Sequence, residues 1–211
     1  MGETFGSASY WEARYRADAT SGAGSYGRLA AYKAAVINGV IDANHIAHVA
    51  DFGCGDGNLL SMLRPPAYTG LDVSPAAIAR CSGLFPQYEF LLIDRLAALR
   101  PADLTLSIDV IYHLVEDEVF DAYIEALFTH STRLVLIYAS NLDGNWSSPH
   151  VRHRRFSTPV GKRFPDWRLR AHVPNPYPFD PDRPDETSFA DFFLFARAET
   201  ECQLRLPATP V

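Results

Sequence analysis

The stretch Val49–Asn58 reads VADFGCGDGN, an apolar run of strand length that passes into three closely spaced glycines. Because glycine has no Cβ atom, such a turn lets the backbone approach a ligand closely. The spacing is GxGxG, with Asp51 two positions before the first glycine, whereas a dinucleotide-binding fingerprint has another glycine where Asn58 stands. The stretch therefore predicts a strand, a ligand-binding loop and a site that is not built for NAD.

A second acidic residue, Asp72, follows the next apolar run of strand length. Asp72 comes nineteen residues after Gly53 and directly follows the apolar run Tyr68–Leu71. A carboxylate at that strand end can accept hydrogen bonds from both hydroxyls of an unphosphorylated ribose. The glycine loop and the acid together favour a nucleoside-binding site over an ordinary turn.

Seven apolar runs of strand length recur along the chain. They span Ala47–Phe52, Ala67–Leu71, Tyr88–Ile93, Asp103–Ile108, Leu134–Tyr138, Trp167–Val173 and Phe189–Phe195. The predicted helices are Ser9–Ala17, Gly27–Gly39, Asn58–Arg64, Ser74–Ser82 and Glu116–Thr129. Strands that alternate with helices predict right-handed crossovers and a parallel sheet. The expected fold class is α/β, with a single Rossmann-like, seven-stranded, mostly parallel sheet flanked by helices.

One domain is expected to span residues 1–196, because no linker or repeat interrupts the pattern. Its helical N-terminal part, at about residues 8–44, contains the glycine- and serine-rich joint SGAGSYG (residues 21–27) and could act as a lid. Residues 197–211 are predicted to be a disordered tail.

Composition narrows the function class. A chain of 211 residues that is 47% hydrophobic and 21% charged is typical of a globular domain. It has no run of about 18 apolar residues and no leader-like start, so a cytoplasmic protein without a membrane span is expected. The three cysteines lack ligand spacing, which predicts free thiols and no metal site. A net charge of -6 favours a small-molecule substrate over nucleic acid and leaves the oligomeric state open.

Over Tyr10–Phe195 the chain resembles the class I S-adenosylmethionine (SAM)-dependent methyltransferases. The stretch DFGCGDG is similar to the first motif of that family, which implies that Asp51, Gly53 and Gly55 hold the methionine end of SAM. Asp72, in GLDVS, matches the acid that binds the ribose. The resemblance thus implies a SAM-dependent transferase that uses SAM as its cosubstrate.

The same resemblance assigns further positions around the cofactor. It implies that Val73 packs against adenine and that Asp94, after the third strand, contacts the adenine amine. The run SIDVIYHL is similar to the family's fourth-strand motif, which puts Asp109 and Val110 beneath the cofactor and His113 close by. His113 could act as a general base, or it could be a buried histidine whose ring is held by hydrogen bonds.

Two tyrosines near the N-terminal joint are candidate cofactor contacts. Tyr15 precedes the joint and Tyr26 lies within it. Aromatic faces stabilise a sulfonium by cation–π attraction, so both rings could cover the cofactor. They could equally belong to the apolar face of a helix.

The loops after the fifth and sixth strands contain the candidate acceptor residues. Asn141 follows the fifth strand, where open α/β sheets bind ligands, and could orient a substrate or cap a loop. Tyr177 stands between Pro176 and Pro178, which stiffen the backbone around it for substrate contact or for turn packing. The basic cluster at residues 150–155, HVRHRR, could clamp an anion or be a solvated turn. RNA or protein as substrate would need a larger basic surface than this cluster.

Two reactions fit these features. The first is methyl transfer from SAM to an oxygen or nitrogen of a small metabolite. The second follows from a narrower resemblance, because YASN, HVRHRRF, NPYPF and SFADFFLF are similar to a compact subgroup that includes bacterial azetidine-2-carboxylate synthases. There the amine of SAM attacks its own γ-carbon and expels methylthioadenosine. This resemblance implies that Asn141 and Tyr177, with Ser188, hold and desolvate the amine.

A SAM-binding module without activity is the remaining alternative, and it would be marked by the loss of Asp51 or Asp72, both of which are present. Substitution separates binding from turnover. Asp72→Ala is expected to abolish SAM binding, whereas Tyr177→Phe and Asn141→Ala are expected to retain binding and lose turnover.

Overall fold

A computed structural model of the protein describes residues 5–145 and 148–207. It contains nine strands and five α-helices within these residues. The strands are β1 (His48–Phe52), β2 (Ala67–Asp72), β3 (Glu89–Leu92), β4 (Ala102–Ile108), β5 (Ser131–Ala139), β6 (Gly144–Asn145), β7 (Arg152–His153), β8 (Trp167–Val173) and β9 (Asp191–Arg197). The α-helices are α1 (Ser7–Arg16), α2 (Gly27–Ala43), α3 (Pro75–Leu84), α4 (Asp117–Thr129) and α5 (Ser157–Arg163).

Seven of these strands form one sheet in the order β3-β2-β1-β4-β5-β9-β8, and β6 pairs with β7 in a separate ribbon. Strands β1 to β5 are parallel, whereas β9 runs antiparallel to both β5 and β8. The expected seven-stranded, mostly parallel α/β fold is therefore confirmed. The strand order reverses between β1 and β4, and open α/β sheets bind ligands outside the carboxyl ends of the strands at such a point.

The register of the central strands explains why the sequence motifs meet. Asp51 on β1 lies opposite Gly70 on β2 and Leu106 on β4. The three strands are parallel, so the residues that follow each of them emerge at one edge of the sheet. The glycine loop after β1, Asp72 at the end of β2 and Asp109 after β4 are thus brought together.

The predicted helix at Asn58–Arg64 is wrong. The segment contains only a short 3-10 turn at Leu60–Met62. Pro65 and Pro66 follow directly, and a residue that precedes proline is disfavoured in helical conformation, so the helix cannot extend. By contrast, α3 begins as expected, because the Ser74 hydroxyl accepts a hydrogen bond from the Ala77 amide at 3.1 Å.

The N-terminal helices differ in their packing. Helix α2 contributes many buried residues to the core, with Val36, Ile37 and Val40 fully buried, so it is part of the body of the domain. Helix α1 has only two buried residues, Ser7 and Tyr15, and both line the central cavity. Any lid within residues 8–44 is therefore limited to the part that precedes α2.

The chain beyond β9 differs from the expected disordered tail as far as residue 207. The Asn44 side chain accepts a hydrogen bond from the Gln203 amide and donates one to the Gln203 carbonyl, both at 2.8 Å. A side chain at Gly39 would lie 2.1 Å from the Arg205 carbonyl oxygen, so the tail packs against α2 where a glycine leaves room. Among the described helices, none is long and apolar enough to cross a membrane.

Candidate functional site

A cavity of about 730 Å³ opens at the carboxyl edge of β1, β2 and β4. Its volume lies in the range of small-molecule sites. Nine of the residues predicted from the sequence line it: Tyr15, Asp51, Gly53, Gly55, Asp72, Val73, Asp109, Val110 and His113. The predicted residues Tyr26, Asp94, Asn141, Tyr177 and Ser188 do not. The structure therefore gathers most of the predicted cofactor positions and leaves the loop residues outside.

The glycine loop has no room for side chains. Gly53 and Gly55 have φ angles of 91° and 59°, which L residues rarely adopt. A Cβ on Gly53 would lie 2.4 Å from Val110 Cγ2, and one on Gly55 would lie 2.5 Å from Ser21 Oγ. These glycines let the loop pass closely between Val110, which follows β4, and the N-terminal segment.

Asp72 fixes the loop and faces the cavity. Its Oδ2 accepts a hydrogen bond from the Gly55 amide at 3.0 Å, and its Oδ1 accepts one from the Ser74 amide at 3.0 Å. Burial raises the pKa of Asp72 to about 6, against the lowering effect of these amides. A carboxylate oxygen has more than one lone pair, so Asp72 can still accept ribose hydroxyls.

Asp51 has one carboxylate oxygen without a partner. Its Oδ2 accepts a hydrogen bond from the Tyr68 hydroxyl at 2.8 Å, while Oδ1 is buried and unpaired. Burial raises the pKa of Asp51 to about 6. An unpaired buried carboxylate oxygen beside a cavity suits a cationic donor, such as the ammonium group of a bound amino acid.

The cavity also contains a buried ion pair, of which the sequence predicts Asp109 but not Lys33. The Lys33 ammonium forms an ion pair with Asp109 and also donates to the Gly24 carbonyl oxygen at 2.7 Å. The second carboxylate oxygen of Asp109 accepts a hydrogen bond from the Tyr112 hydroxyl at 2.6 Å. Lys33 had a sequence signal, because it is the single charged residue between Arg28 and Asp42 in an otherwise apolar helix.

The N-terminal segment is docked onto the glycine loop through Asp56. The Asp56 carboxylate accepts hydrogen bonds from the Ser21 amide at 2.7 Å and from the Tyr26 hydroxyl at 2.8 Å. The Tyr15 hydroxyl lies 3.0 Å from Ser21 Oγ and faces the cavity. Tyr26 thus holds the segment from outside the cavity, and burial raises its pKa to about 12.

His113 forms part of the cavity wall. Its Nδ1 donates to the His150 carbonyl oxygen at 2.9 Å, which leaves Nε2 as the unprotonated nitrogen. Its ring packs edge-on against Trp11 at 4.9 Å. Burial lowers the pKa of His113 to about 4. The imidazole is therefore neutral at pH 7 and is a weak base.

Asp94 is exposed beside the cavity, in the 3-10 segment Ile93–Ala98. Its neighbours Ile93 and Leu96 line the cavity instead. An apolar pair at this position suits the face of a flat aromatic ring, and the contact between Asp94 and the adenine amine stays a prediction.

The polar residues of the loops after β5 are hydrogen-bonded or ion-paired to other parts of the protein. The Asn141 amide donates to Ser157 Oγ at 2.8 Å and accepts from the Ser157 amide at 3.2 Å, at the start of α5. Within the basic cluster, Arg152 and Arg154 both form ion pairs with Asp117 at 2.9 Å. Arg154 is also buried and donates to the Val115 carbonyl oxygen at 3.0 Å. These arginines tie β7 to the start of α4, so the cluster is a structural one.

Tyr177 and Ser188 are brought together by the structure. The Ser188 amide donates to the Tyr177 carbonyl oxygen at 2.9 Å. The Arg28 guanidinium lies 4.4 Å from the centre of the Tyr177 ring, and the Tyr32 ring meets it edge-on at 6.2 Å. The pair therefore lies against α2, the helix that also carries Lys33.

Comparison with known proteins agrees with this geometry. A methyltransferase domain family matches residues 50–134. The trans-aconitate 2-methyltransferase of Klebsiella pneumoniae is 34% identical over 124 residues, which are 55% of this chain and 47% of that protein. The protein of the same name from Escherichia coli K12 is 31% identical over 122 residues, which are 54% and 46% of the two chains. The chain thus spans about half the length of the curated relatives it matches.

Solved structures share the fold at low identity. The N-methyltransferase NodS from Bradyrhizobium japonicum, in complex with S-adenosylhomocysteine, has a TM-score of 0.65 and 13% identity over 92% of this chain and 99% of its own. The magnesium protoporphyrin IX methyltransferase from Synechocystis, with bound SAM, has a TM-score of 0.64 and 14% identity over 94% of this chain and 100% of its own. These likenesses show the fold. They confirm the class I methyltransferase fold that the sequence predicts.

Proposed function

We propose that this chain, which has the fold and the matched domain of the class I SAM-dependent methyltransferases, transfers the methyl group of SAM to a carboxylate oxygen of a small organic acid. The observation that carries the proposal is the pairing of polar groups in the cavity. The cofactor end, at the glycine loop, has an unpaired anionic oxygen at Asp51. The far end, at Lys33, has a fully paired carboxylate at Asp109.

The cofactor end is organised for a cationic nucleoside. Asp51 Oδ1 would accept a hydrogen bond from the ammonium group of SAM, and Asp72 would accept the ribose hydroxyls. The backbone of Gly53 and Gly55 would lie against the methionine chain, and Val73 would pack on adenine. When bound, SAM supplies an electrophilic methyl carbon, and attack by a carboxylate oxygen forms a methyl ester while the C–S electron pair returns to sulfur.

The far end favours a nucleophile that needs no base. A carboxylic acid of pKa about 4 is already ionised at pH 7, whereas an amine must first lose a proton. Among the described residues that line the cavity, His113 is held neutral with a lowered pKa, and Asp109 is engaged by Lys33 and Tyr112. No proton has to move when a carboxylate is methylated, so this arrangement suits an acid. The names of the similar trans-aconitate 2-methyltransferases support an acid as acceptor.

The part of the N-terminal segment before α2, including Ser7–Arg16, is proposed to act as a lid on the cofactor. Ser7 binds the Glu116 carboxylate through its amide and its hydroxyl, both at 2.8 Å, and Asp56 holds Ser21 and Tyr26. These contacts join the lid to Glu116 and to Asp56, both of which line the cavity. SAM can enter once they open.

Azetidine-2-carboxylic acid synthesis by cyclisation of SAM is the second candidate. It is supported by the contact between Tyr177 and Ser188, two of the residues that the narrower resemblance implies for amine binding. Asn141 does not join them, because its amide is bound to Ser157. The contact between Tyr177 and Ser188 therefore supports this candidate, and the binding of Asn141 to Ser157 does not.

The products of SAM distinguish the two reactions. Purified protein would be incubated with SAM alone and with SAM plus trans-aconitate or a series of simpler carboxylic acids, followed by mass spectrometry. S-adenosylhomocysteine and a methyl ester that appear only with an acid support the proposal. Methylthioadenosine and a four-carbon cyclic amino acid formed from SAM alone support the second candidate and contradict the first.

A further inference from the structure

We infer that the hydroxyl groups of Tyr32 and Tyr138, together with the Lys33 ammonium, form the subsite that holds the carboxylate of the acceptor. The inference rests on the proposed methyl transfer to an acid and adds the residues that would recognise it. None of the three was predicted from the sequence, and Tyr32 and Tyr138 do not contact the cofactor loop.

Both hydroxyls are buried without a hydrogen-bond partner. Tyr32 is 4% exposed and Tyr138 is 1% exposed. Within the described residues, only these two hydroxyls and Asp51 Oδ1 are buried side-chain polar atoms that lack a partner. A buried polar group without a partner destabilises a protein, so such groups mark places where a ligand or water is expected. Asp51 Oδ1 has the cofactor ammonium as its expected partner, and the two phenols have none yet.

Neither phenol lines the cavity, but both lie near Lys33, which does. Both rings pack against Phe192, at 5.8 Å for Tyr32 and 4.6 Å for Tyr138. The Lys33 ammonium, which lines the cavity, lies 5.4 Å from the centre of the Tyr138 ring. Ser188 also interacts with the Tyr138 hydroxyl, without meeting the geometry of a hydrogen bond. A group that enters beside Lys33 would therefore reach the two hydroxyls once the side chains between them and the cavity move.

The missing partner is an anion rather than a cation. Burial raises the pKa of Tyr32 to about 12 and raises that of Tyr138 further, so both phenols remain donors. The two carboxylates that face them are already paired: Asp109 binds Lys33 and Tyr112, and Asp191 binds the His172 ring at 2.7 Å and the Asn175 amide at 2.8 Å. The groups left over are donors, and donors bind most strongly to ionised oxygen.

The test uses tyrosine-to-phenylalanine variants, which delete only the hydroxyl. Tyr32→Phe, Tyr138→Phe and the double variant would be compared with wild type and with Tyr88→Phe. Tyr88 is a matched control because its hydroxyl has a partner, the Pro65 carbonyl oxygen at 3.1 Å, on another part of the sheet. The melting temperature of each protein would be measured, and then the binding of S-adenosylhomocysteine, of trans-aconitate and of acetate by calorimetry.

Without ligand, the melting temperatures of the site variants and of the control variant are expected to differ. Deleting an unpaired hydroxyl should leave the melting temperature of Tyr32→Phe and Tyr138→Phe equal to or above that of wild type, whereas Tyr88→Phe should lower it. A clear drop in either site variant would show that its hydroxyl has a partner already, which overturns the inference.

The second part of the test measures ligand binding to the same variants. S-adenosylhomocysteine should bind all variants alike, and failure to bind wild type would instead refute the cofactor assignment. In the S-adenosylhomocysteine complex, trans-aconitate should bind wild type about tenfold or more tightly than the double variant, as expected for a lost hydrogen bond to a charged group. Equal affinities, or no binding of either trans-aconitate or acetate to the wild-type complex, would overturn the inference.

Discussion

The cofactor end and the acceptor end of the cavity use their polar residues differently. At the cofactor end, residues picked out by spacing, such as Asp51 and Asp72, face the cavity. At the proposed acceptor end, Asn141 binds Ser157 at the start of α5, and Arg154 binds the segment that leads into α4. The unpaired groups there are the hydroxyls of Tyr32 on α2 and Tyr138 on β5. Under the proposed function, a ligand held largely by one backbone loop leaves a sequence motif, and one held by side chains from several elements does not.

The strongest test of the acceptor end is to remove one member of its buried ion pair. Lys33→Met leaves the Asp109 carboxylate without its cation, and the free energy of unfolding is expected to fall by about 3–5 kcal/mol. Urea denaturation measures this loss. The double variant with Asp109→Asn removes the stranded charge and should recover part of it. An unchanged single variant would show that the pair does not organise this end.

At the cofactor end, Asp72→Ala is expected to weaken SAM and S-adenosylhomocysteine binding by about 100-fold or more. The loss follows from two hydrogen bonds to a charged group at about 1.5–3 kcal/mol each. Calorimetric titration gives the affinity, and circular dichroism checks that the variant is folded. Affinity within threefold of wild type would contradict the ribose-binding role.

The proposed lid gives an intermediate effect. Asp56→Ala removes the acceptor for Ser21 and Tyr26, so SAM affinity should fall about tenfold and proteolysis at Arg14 or Arg16 should speed up. Tyr26→Phe removes one of these bonds and serves as the graded control. A lid role fails if neither affinity nor cleavage rate changes in Asp56→Ala.

Acidity should affect cofactor binding and stability in opposite directions. The pKa values of Asp51 and Asp72 are about 6 in the folded protein, above the ordinary 3.8. SAM requires the ionised forms, so its affinity should fall about tenfold as pH drops from about 7.5 to 5.5. Stability of the free protein should instead decrease as pH rises from about 4 to 6, because the unfolded chain loses these protons first.

Titration by calorimetry and urea denaturation at each pH tests both trends. Asp51→Asn is the matched variant, since it removes one of the two groups while keeping an acceptor for Tyr68. If SAM affinity were flat across this range, the buried carboxylates would not be the cofactor's partners.

The smallest effect is expected at Asn141. Because its side chain accepts from the Ser157 amide at the start of α5, Asn141→Ala should cost about 1 kcal/mol of stability and change kcat by less than about twofold. A stable variant with greatly reduced kcat would return Asn141 to the catalytic group that the sequence suggests.

The sequence was sufficient for the sheet and for the cofactor loop because both rest on local patterns. Apolar runs of strand length, separated by predicted helices, predict the strands. The GxGxG spacing followed by Asp72 predicts the loop. The helix predicted at Asn58–Arg64 failed because two prolines stop it after one turn. Such patterns report on residues that are close together in the sequence.

The acceptor end was not predictable in the same way. Lys33 and Asp109 are far apart in sequence, and only folding makes them an ion pair. Tyr32 and Tyr138 look like ordinary core residues, and their lack of partners becomes visible only when every neighbouring atom is placed. Conversely, Asn141 follows the fifth strand, where ligands bind, while its side chain is hydrogen-bonded to Ser157 at the start of α5.

The central claim is that the cationic cofactor bound at one end gives its methyl group to an acid held at the other. It is tested most directly by incubating the protein with SAM that carries a deuterated methyl group, together with trans-aconitate and the simpler acids, and by following the label with mass spectrometry. The account predicts the label in a methyl ester, with unlabelled S-adenosylhomocysteine as the second product. Label retained in methylthioadenosine, with no labelled ester, would contradict it.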